Sequence, residues 1–361
     1  MLGQGDYQVV VYDRGGVTPL GAFDAVSQLV LRWVRDDMGQ ATVVVPVAQG
    51  SVQSEFLNTL RAVRHELVVF RNGVRVWEGP ITRINYTPDL VTVTAADVCW
   101  YLSRRALQRT YDWSADTRSA VDAVFGVLRD HYPVEGDPYN IGQYLLTVPT
   151  DEDARTAAVH YEFSKSVFEL LDGYAARGGL DYVVRGRRIV VADTNTRLMV
   201  LPKMSDQDFS GTIQVVEYGN ELATQWYVAN NEGEYGSAQA DTQWLDYYGE
   251  IDKITNLETE EGERVPSIAA MTSQAERAVS SAYPAPLDLL VPANVRVLPE
   301  TPVEFTDLMP GAWVPIESYS TPRKLVQWQK IDAVTVNWSD STDDVNVTMQ
   351  AAPVRFVDPS S

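Results

Sequence analysis

The 361-residue sequence lacks most of what would announce a chemistry. Its one cysteine, Cys99, excludes an internal disulfide framework and suits a reducing compartment. Its three histidines, His65, His131 and His160, stand in no HExxH or comparable spacing, so zinc hydrolysis is not expected. No GxSxG, Walker or GxGxxG motif occurs, and the Gly-rich pieces DRGG (13–16) and ARGGL (176–180) read as turn and helix-stop signals. No apolar run approaches the roughly 18 residues of a membrane span. The first residues, MLGQGDYQVVVYDRGG, show neither a basic leader nor an apolar h-region, so synthesis and folding in a cytoplasm are expected.

Positive charge is scarce as well. The net charge is −20, and it is unevenly placed: residues 1–200 hold 20 Lys+Arg against 24 Asp+Glu, residues 201–361 hold 9 against 25. Such a surface repels phosphate, which argues against tight binding to a nucleic-acid backbone. Acidity of this kind also serves plain solubility.

What the chain does have is strand pattern. YQVVVYD (7–13), LVLRWVRD (29–36) and ATVVVPV (41–47) are rich in β-branched and aromatic residues and bounded by Gly, Asp or Pro. HELVVFRNGVRVWEGPI (65–81) predicts a hairpin on Asn72-Gly73, because both central positions of a type I′ turn need positive φ. ITRINY (81–86) and LVTVTAAD (90–97) predict a second strand pair turning at Pro88-Asp89, with a short helix at 51–63. This set suggests a small closed or half-closed β-barrel, left by a helical segment at 96–107.

Residues 108–200 read as α+β. Helices are predicted over 116–132, with Val121, Val124, Phe125 and Leu128 on one face, and over 164–179, with Ser164 as a possible cap. A hairpin around Arg185-Gly186-Arg187 follows, over 180–193. From 201 strands return at 211–220, 223–231, 287–299, 312–319, 324–339 and 344–352, with a polar loop or hairpin over 232–265 and a helix over 267–283. The expected fold is mainly β with an α+β middle. Its expected domains are 1–107, 108–200 and 201–361, the last with an inserted loop and helix region around 232–300.

Catalytic signals are thin. Cys99, between Val98 and Trp100, reads as a buried small hydrophobe rather than a nucleophile. Asp151-Glu152-Asp153 and the acidic run from Glu258 to Glu263 read as solvated faces; glycoside hydrolysis needs two carboxylates roughly 5–9 Å apart, which sequence does not place. Trp33, Trp77, Trp226, Tyr227, Trp313, Trp328 and Trp338 fall at strand positions, where rings fill cores or subunit interfaces or, alternatively, form a sugar platform. The sequons at Asn337 and Asn346 carry no weight without a secretion signal. No catalytic, cofactor-binding or metal-binding residue is assigned, no cofactor is expected, and the chain is expected not to be an enzyme.

An ordered set of segments carries a resemblance. LRWVRDDMGQATVVVP (31–46), LVVFRNGVRVWEGPITRINY (67–86) and VTVTAADVCWYLSRRAL (91–107), then LMPGAWVPI (308–316), VQWQKIDAVTVNW (326–338) and VNVTMQAA (345–352), together resemble siphovirus minor tail proteins of the tail-hub type. Ala312-Trp313 stands where that family commonly has an acidic residue after the glycine. The resemblance implies two tube-type β-barrel domains flanking the α+β module. It further implies a homotrimer whose six barrels match a sixfold tail to a threefold tip, at the distal end of the phage tail in the virion. Implied partners are the distal tail protein, the tape measure protein and tip fibre or spike proteins, with phage DNA passing through the lumen without specific binding. On that reading part of the acidic carboxy-terminal half lines the lumen. A receptor- or carbohydrate-binding tail protein is the alternative, and a tail-associated peptidoglycan hydrolase a further one.

Overall fold

The computed structural model describes residues 2, 4–48, 50–107, 110–112, 126, 144–147, 160–161, 165–176, 180–193, 196–257, 267–282, 286–339 and 342–351. The chain divides into two compact units: one of residues 1–211, 292–315 and 329–350, the other of 212–291, 316–328 and 351–361.

The first unit begins with seven strands: β1 (Tyr7–Asp13), β2 (Pro19–Ala22), β3 (Gln28–Val34), β4 (Gln40–Pro46), β5 (His65–Arg71), β6 (Val74–Tyr86) and β7 (Leu90–Ala96). Short strands follow: β8 (Tyr111–Asp112), β9 (Leu145–Thr147) and β10 (His160–Tyr161). Then come β11 (Asp181–Arg185), β12 (Arg188–Ala192), β13 (Met199–Val200) and β14 (Met204–Ser205). The second unit contributes β15 (Gln214–Glu217), β16 (Gln225–Ala229), β17 (Tyr235–Gln239), β18 (Asp252–Asn256) and β19 (Leu287–Leu290). The last strands are β20 (Val295–Arg296), β21 (Ala312–Glu317), β22 (Val326–Ser339) and β23 (Thr342–Ala351).

The main sheet runs β13-β21-β22-β3-β4-β7-β6-β5-β1-β2, with β14 on β21, and β23 on β22 and β20. Strands from the two ends of the sequence therefore share one sheet, joined where β22 pairs antiparallel with β3, Ala333 opposite Val34 through Ser339 opposite Gln28. The fold is mainly β, as the sequence suggests. The described strands form an open path with free edges at β13 and β2, so no closed ring is found among the described residues.

Local chemistry explains the sheet. Strands β3 and β4 alternate buried and open positions, which puts Leu29, Leu31, Trp33, Ala41, Val43 and Val45 on the core face. The β5–β6 turn has Asn72 at φ 52° and Gly73 at φ 78°, the two positive values a type I′ hairpin requires. The segment read as two strands, ending at 81 and beginning at 81, is a single 13-residue strand. It changes partner in its middle: Pro80 lies opposite Glu66 of β5, and Ile81 opposite Ala95 of β7.

The predicted helix at 51–63 is Val52–Thr59, with the Ser51 side chain accepting the Ser54 N–H as its cap. The helix expected over 96–107 is only Cys99–Ser103. Beyond it the chain is drawn off into pairing, as the Leu107 N–H donates to the Lys165 carbonyl and Ala106 bridges Ser166. The helix predicted over 164–179 spans Val167–Ala176. Ser166 caps it: the Glu169 N–H donates to Ser166 Oγ, and the Ser166 N–H to the Glu169 carboxylate at 2.6 Å, while Ser164, the expected cap, lies outside the described residues. It buries Val167, Leu170, Leu171 and Tyr174 against Cys99, Leu102, Tyr182 and Val191, so the middle segment and residues 98–107 share one core. The 180–193 hairpin forms as β11–β12, with β9 added in parallel. The helix predicted over 116–132 lies outside the described residues except at Gly126, which is helical.

In the second unit the expected strands at 211–220 and 223–231 do not pair with each other. β15 pairs with β19, while β16 lies between β17 and β18. The polar stretch 232–265, expected as loop or hairpin, supplies β17, the helix Thr242–Tyr248 and β18. The helix Ile268–Ala282 covers one face of β16, burying Met271 and Ala275 on Val228.

Candidate functional site

Three buried ionic clusters in the first unit tie together residues far apart in sequence. In the first, Arg71 at the end of β5 meets Asp343 of β23 at 2.9 Å, with the two side chains 5% and 1% exposed. The Tyr7 hydroxyl donates to the same Asp343 oxygen at 3.1 Å, and Arg71 also donates to the Leu2 carbonyl and lies over the Phe305 ring. Burial, then the Asp343 charge, pushes the Tyr7 phenol well above its ordinary range, so it stays a donor.

The second cluster centres on Arg35. Its Nη1 donates to Asp181 at 2.7 Å, its Nε and Nη2 to Asp332, and its backbone N–H to the Asp332 carbonyl. Lys330, two residues before Asp332 and so on the same face of β22, is hydrogen-bonded to the other oxygen of Asp181. Asp36 sits beside them at a φ of 57°, accepting the Tyr182 N–H at 2.8 Å. Burial outweighs that hydrogen bond and lifts the Asp36 carboxyl to about 6.

The third cluster surrounds Glu66, which is fully buried on β5. It accepts from Arg187, from the Tyr101 hydroxyl at 2.6 Å and from the Gly15 N–H at 3.1 Å. Arg187 also reaches Glu78 at 3.3 Å and Tyr144 at 3.2 Å, and Arg75 pairs with Glu78 at 3.0 Å. Burial raises the Glu78 carboxyl even with both arginines pulling it down. Beside this cluster lies a cleft of about 140 Å³, walled by Trp33, Val76, Phe305, Leu308 and Met309, with Arg75 and Arg185 at its polar side.

These arrangements neutralise charge and hold strands together; none aligns a nucleophile with a base. Cys99 is fully buried and its thiol is pushed well above its usual value by burial and by Asp97. At His65, Nδ1 accepts the Arg61 N–H at 3.2 Å, and burial lowers its pKa. His160 pairs with Asp112 in a short strand bridge, while His131 and the acidic runs 151–153 and 258–263 lie outside the described residues. Among the described residues no group of three His, Cys, Asp or Glu is placed to hold a metal.

Of the aromatics, Trp33 and Trp77 are buried, and Trp226, Tyr227, Trp313, Trp328 and Trp338 are half-buried. Lys253 lies over Trp226, Lys330 and Arg197 lie over Trp313, and Tyr7 packs on Trp338. The clustered charges were not legible in the sequence: Arg35 and Asp181 are 146 residues apart, Arg35 and Asp332 are 297 apart, and no local spacing marks either pair. The available signal is an acid opening a strand whose next three residues, Tyr182, Val183 and Val184, are all buried, as Asp181 does in β11.

No protein-family model matches the sequence, and no curated protein matches it by sequence. Solved structures do match its fold. The 43 kDa tail protein of prophage MuSo2 from Shewanella oneidensis superposes with a TM-score of 0.56 at 10% identity, covering 97% of this chain and 100% of that one. The tail protein of Neisseria meningitidis MC58 gives 0.55 at 11% identity, with 96% of each chain covered. A component of the type VI secretion system of E. coli, itself structurally similar to the T4 bacteriophage tail proteins gp27 and gp5, gives 0.50 at 11% identity, over 96% of this chain and 78% of that one. From near one end of the chain to the other, this protein has the fold of phage tail proteins.

Proposed function

We propose that the chain is a structural subunit of a phage tail-tip hub, which closes the distal end of the tail tube and opens for genome release. The observation that carries this is the fold match to tail proteins over almost the whole of both chains. The sheet gives the reading a physical basis. β22 on β3, Arg71 with Asp343, and Arg35 with Asp332 bind the first and last parts of the sequence into one body. A part that bears load between neighbours needs that stiffness.

On this reading the strands of the two terminal regions present two tube-type barrel faces, and three copies form a ring that matches sixfold to threefold symmetry. The chain acts without catalysis. Its neighbours are the distal tail protein, the tape measure protein and a fibre or spike, DNA crosses the lumen without specific contacts, and the site of action is the distal end of the virion tail. The native mass of the purified chain tests the assembly: a species of three times 40.2 kDa, or a larger ring, supports it, and a monomer at all concentrations contradicts it.

A second reading, a receptor- or carbohydrate-binding tail protein, draws on one feature. On the helix Thr242–Tyr248, Trp244 stacks on Tyr248 at 5.9 Å, and Tyr247, 76% exposed, meets Tyr248 edge-on at 4.8 Å. Retention of the isolated protein on host cells, lost on Tyr247→Ala, selects this reading.

A further inference from the structure

Among the described residues of the first unit, several enclosed cations are answered by carboxylates, and Arg185 departs from that pattern. Arg35, Arg71, Arg187 and Lys330 each hold an acidic partner in hydrogen-bonding range. Arg185, the last residue of β11, does not: its Nε and Nη2 are shut off from solvent and meet no acceptor among the described residues. A guanidinium left this way is costly, because neither water nor protein completes its hydrogen bonds. Burial lowers its pKa, and the charge of nearby Asp307 offsets this only in part.

Arg185 lines the 140 Å³ cleft, which has room for about one side chain. Most of the remaining lining is apolar. Trp33 and Phe305 meet edge to face at 6.1 Å, and Val76, Leu308 and Met309 also line it. Arg75 adds positive charge to the lining, although its Nη1 and Nη2 are engaged by Glu78 and the Gly16 carbonyl.

We propose that this cleft is a binding site for a carboxylate joined to a small apolar group. The guanidinium of Arg185 takes the carboxylate, and Trp33, Phe305 and Met309 take the apolar part. A carboxylate on an apolar group suits the cleft because its charge answers the Arg185 guanidinium while the rest of it lies on the apolar lining. Such a group reaches the cleft from the C-terminus of a protein chain or from an acidic side chain within one. The inference does not depend on the tail reading.

Calorimetric titration of the full chain with four probes tests it: N-acetyl-leucine, N-acetyl-glutamic acid α-amide, N-acetyl-leucinamide and inorganic phosphate. One or both carboxylates are expected to bind at least about tenfold more tightly than the neutral amide, a preference of about 1.4 kcal/mol. The better of the two tells a chain terminus from an internal acidic residue. Arg185→Met removes that preference, and Met309→Trp, which fills the cleft and keeps the charge, abolishes binding. Should Arg185→Met fail to fold, Met309→Trp and the acid-to-amide ratio on the unaltered chain still decide. Equal binding of acid and amide, phosphate binding as tightly as the carboxylates, or no binding of any probe overturns the proposal.

Discussion

Arg71 and Asp343 stand 272 residues apart in sequence and 2.9 Å apart in space, both almost fully removed from water. A pair so placed stabilises little relative to apolar residues of the same size, but breaking one half strands the other charge. Asp343→Ala is therefore expected to cost about 3–5 kcal/mol, read as a drop in the urea midpoint with an unchanged slope. The double variant Arg71→Met with Asp343→Leu should be markedly more stable than Asp343→Ala alone. Equal loss in single and double variants would show that packing, and not the stranded guanidinium, sets the cost.

Gly79 tests the point where β6 changes partner. A Cβ built there would come within 1.9 Å of the Ala96 carbonyl oxygen, which is backbone and has nowhere to swing. Gly79→Ala forces β6 and β7 apart and is expected to destabilise by about 3 kcal/mol or more, at the upper end of overpacking costs. A melting temperature unchanged from the parent contradicts this account of the strand crossing.

Asp97 gives stability a pH dependence of unusual sign. It is fully buried and accepts the Gly39 N–H at 2.6 Å and the Cys99 N–H at 2.9 Å. Burial wins over those hydrogen bonds and lifts its pKa to about 7. The unfolded chain releases this proton near the ordinary carboxylate pKa of about 3.9, so between about pH 4 and 7 the native state binds more protons than the unfolded one. The contribution is thus greatest below pH 4 and is lost as pH rises to 7, by an amount on the order of 4 kcal/mol. Asp36, raised to about 6, adds a slope of the same sign between pH 4 and 6. Denaturation series across this range should show Asp97→Asn flattening the upper part of the fall; an unchanged profile removes Asp97 as its source.

Cys99 provides a probe of opening. With no exposed surface and a raised thiol pKa, it should resist a thiol reagent in the native protein and react at once in denaturant. Fast labelling under native conditions would mean that the core around Leu102, Tyr174 and Tyr182 opens freely.

The parts of the fold that were legible are those set by local chemistry. β1 spans Tyr7–Asp13 as its β-branched run suggests, and Asn72-Gly73 makes its turn because few other pairs accept two positive φ values. The β11–β12 hairpin and the helix Ile268–Ala282 were legible for the same reason. What escaped was non-local. Nothing near Pro80 announces that β6 trades β5 for β7, and nothing in β22 names β3 as its partner. The helix expected to reach 107 stops at Ser103 because residues 106 and 107 find partners at 165 and 166, some 60 positions on. The cleft escaped too, since Trp33, Arg185 and Met309 come from three distant stretches and no periodicity joins them.

Electron microscopy of an intact tail tip carrying this protein tests the central claim most directly. The account predicts three copies at the distal end of the tube, each offering two sheet-built faces to a closed ring, with β22 and β3 joined within each copy. Density for this chain elsewhere on the particle, or as a single copy outside the tube wall, would contradict it.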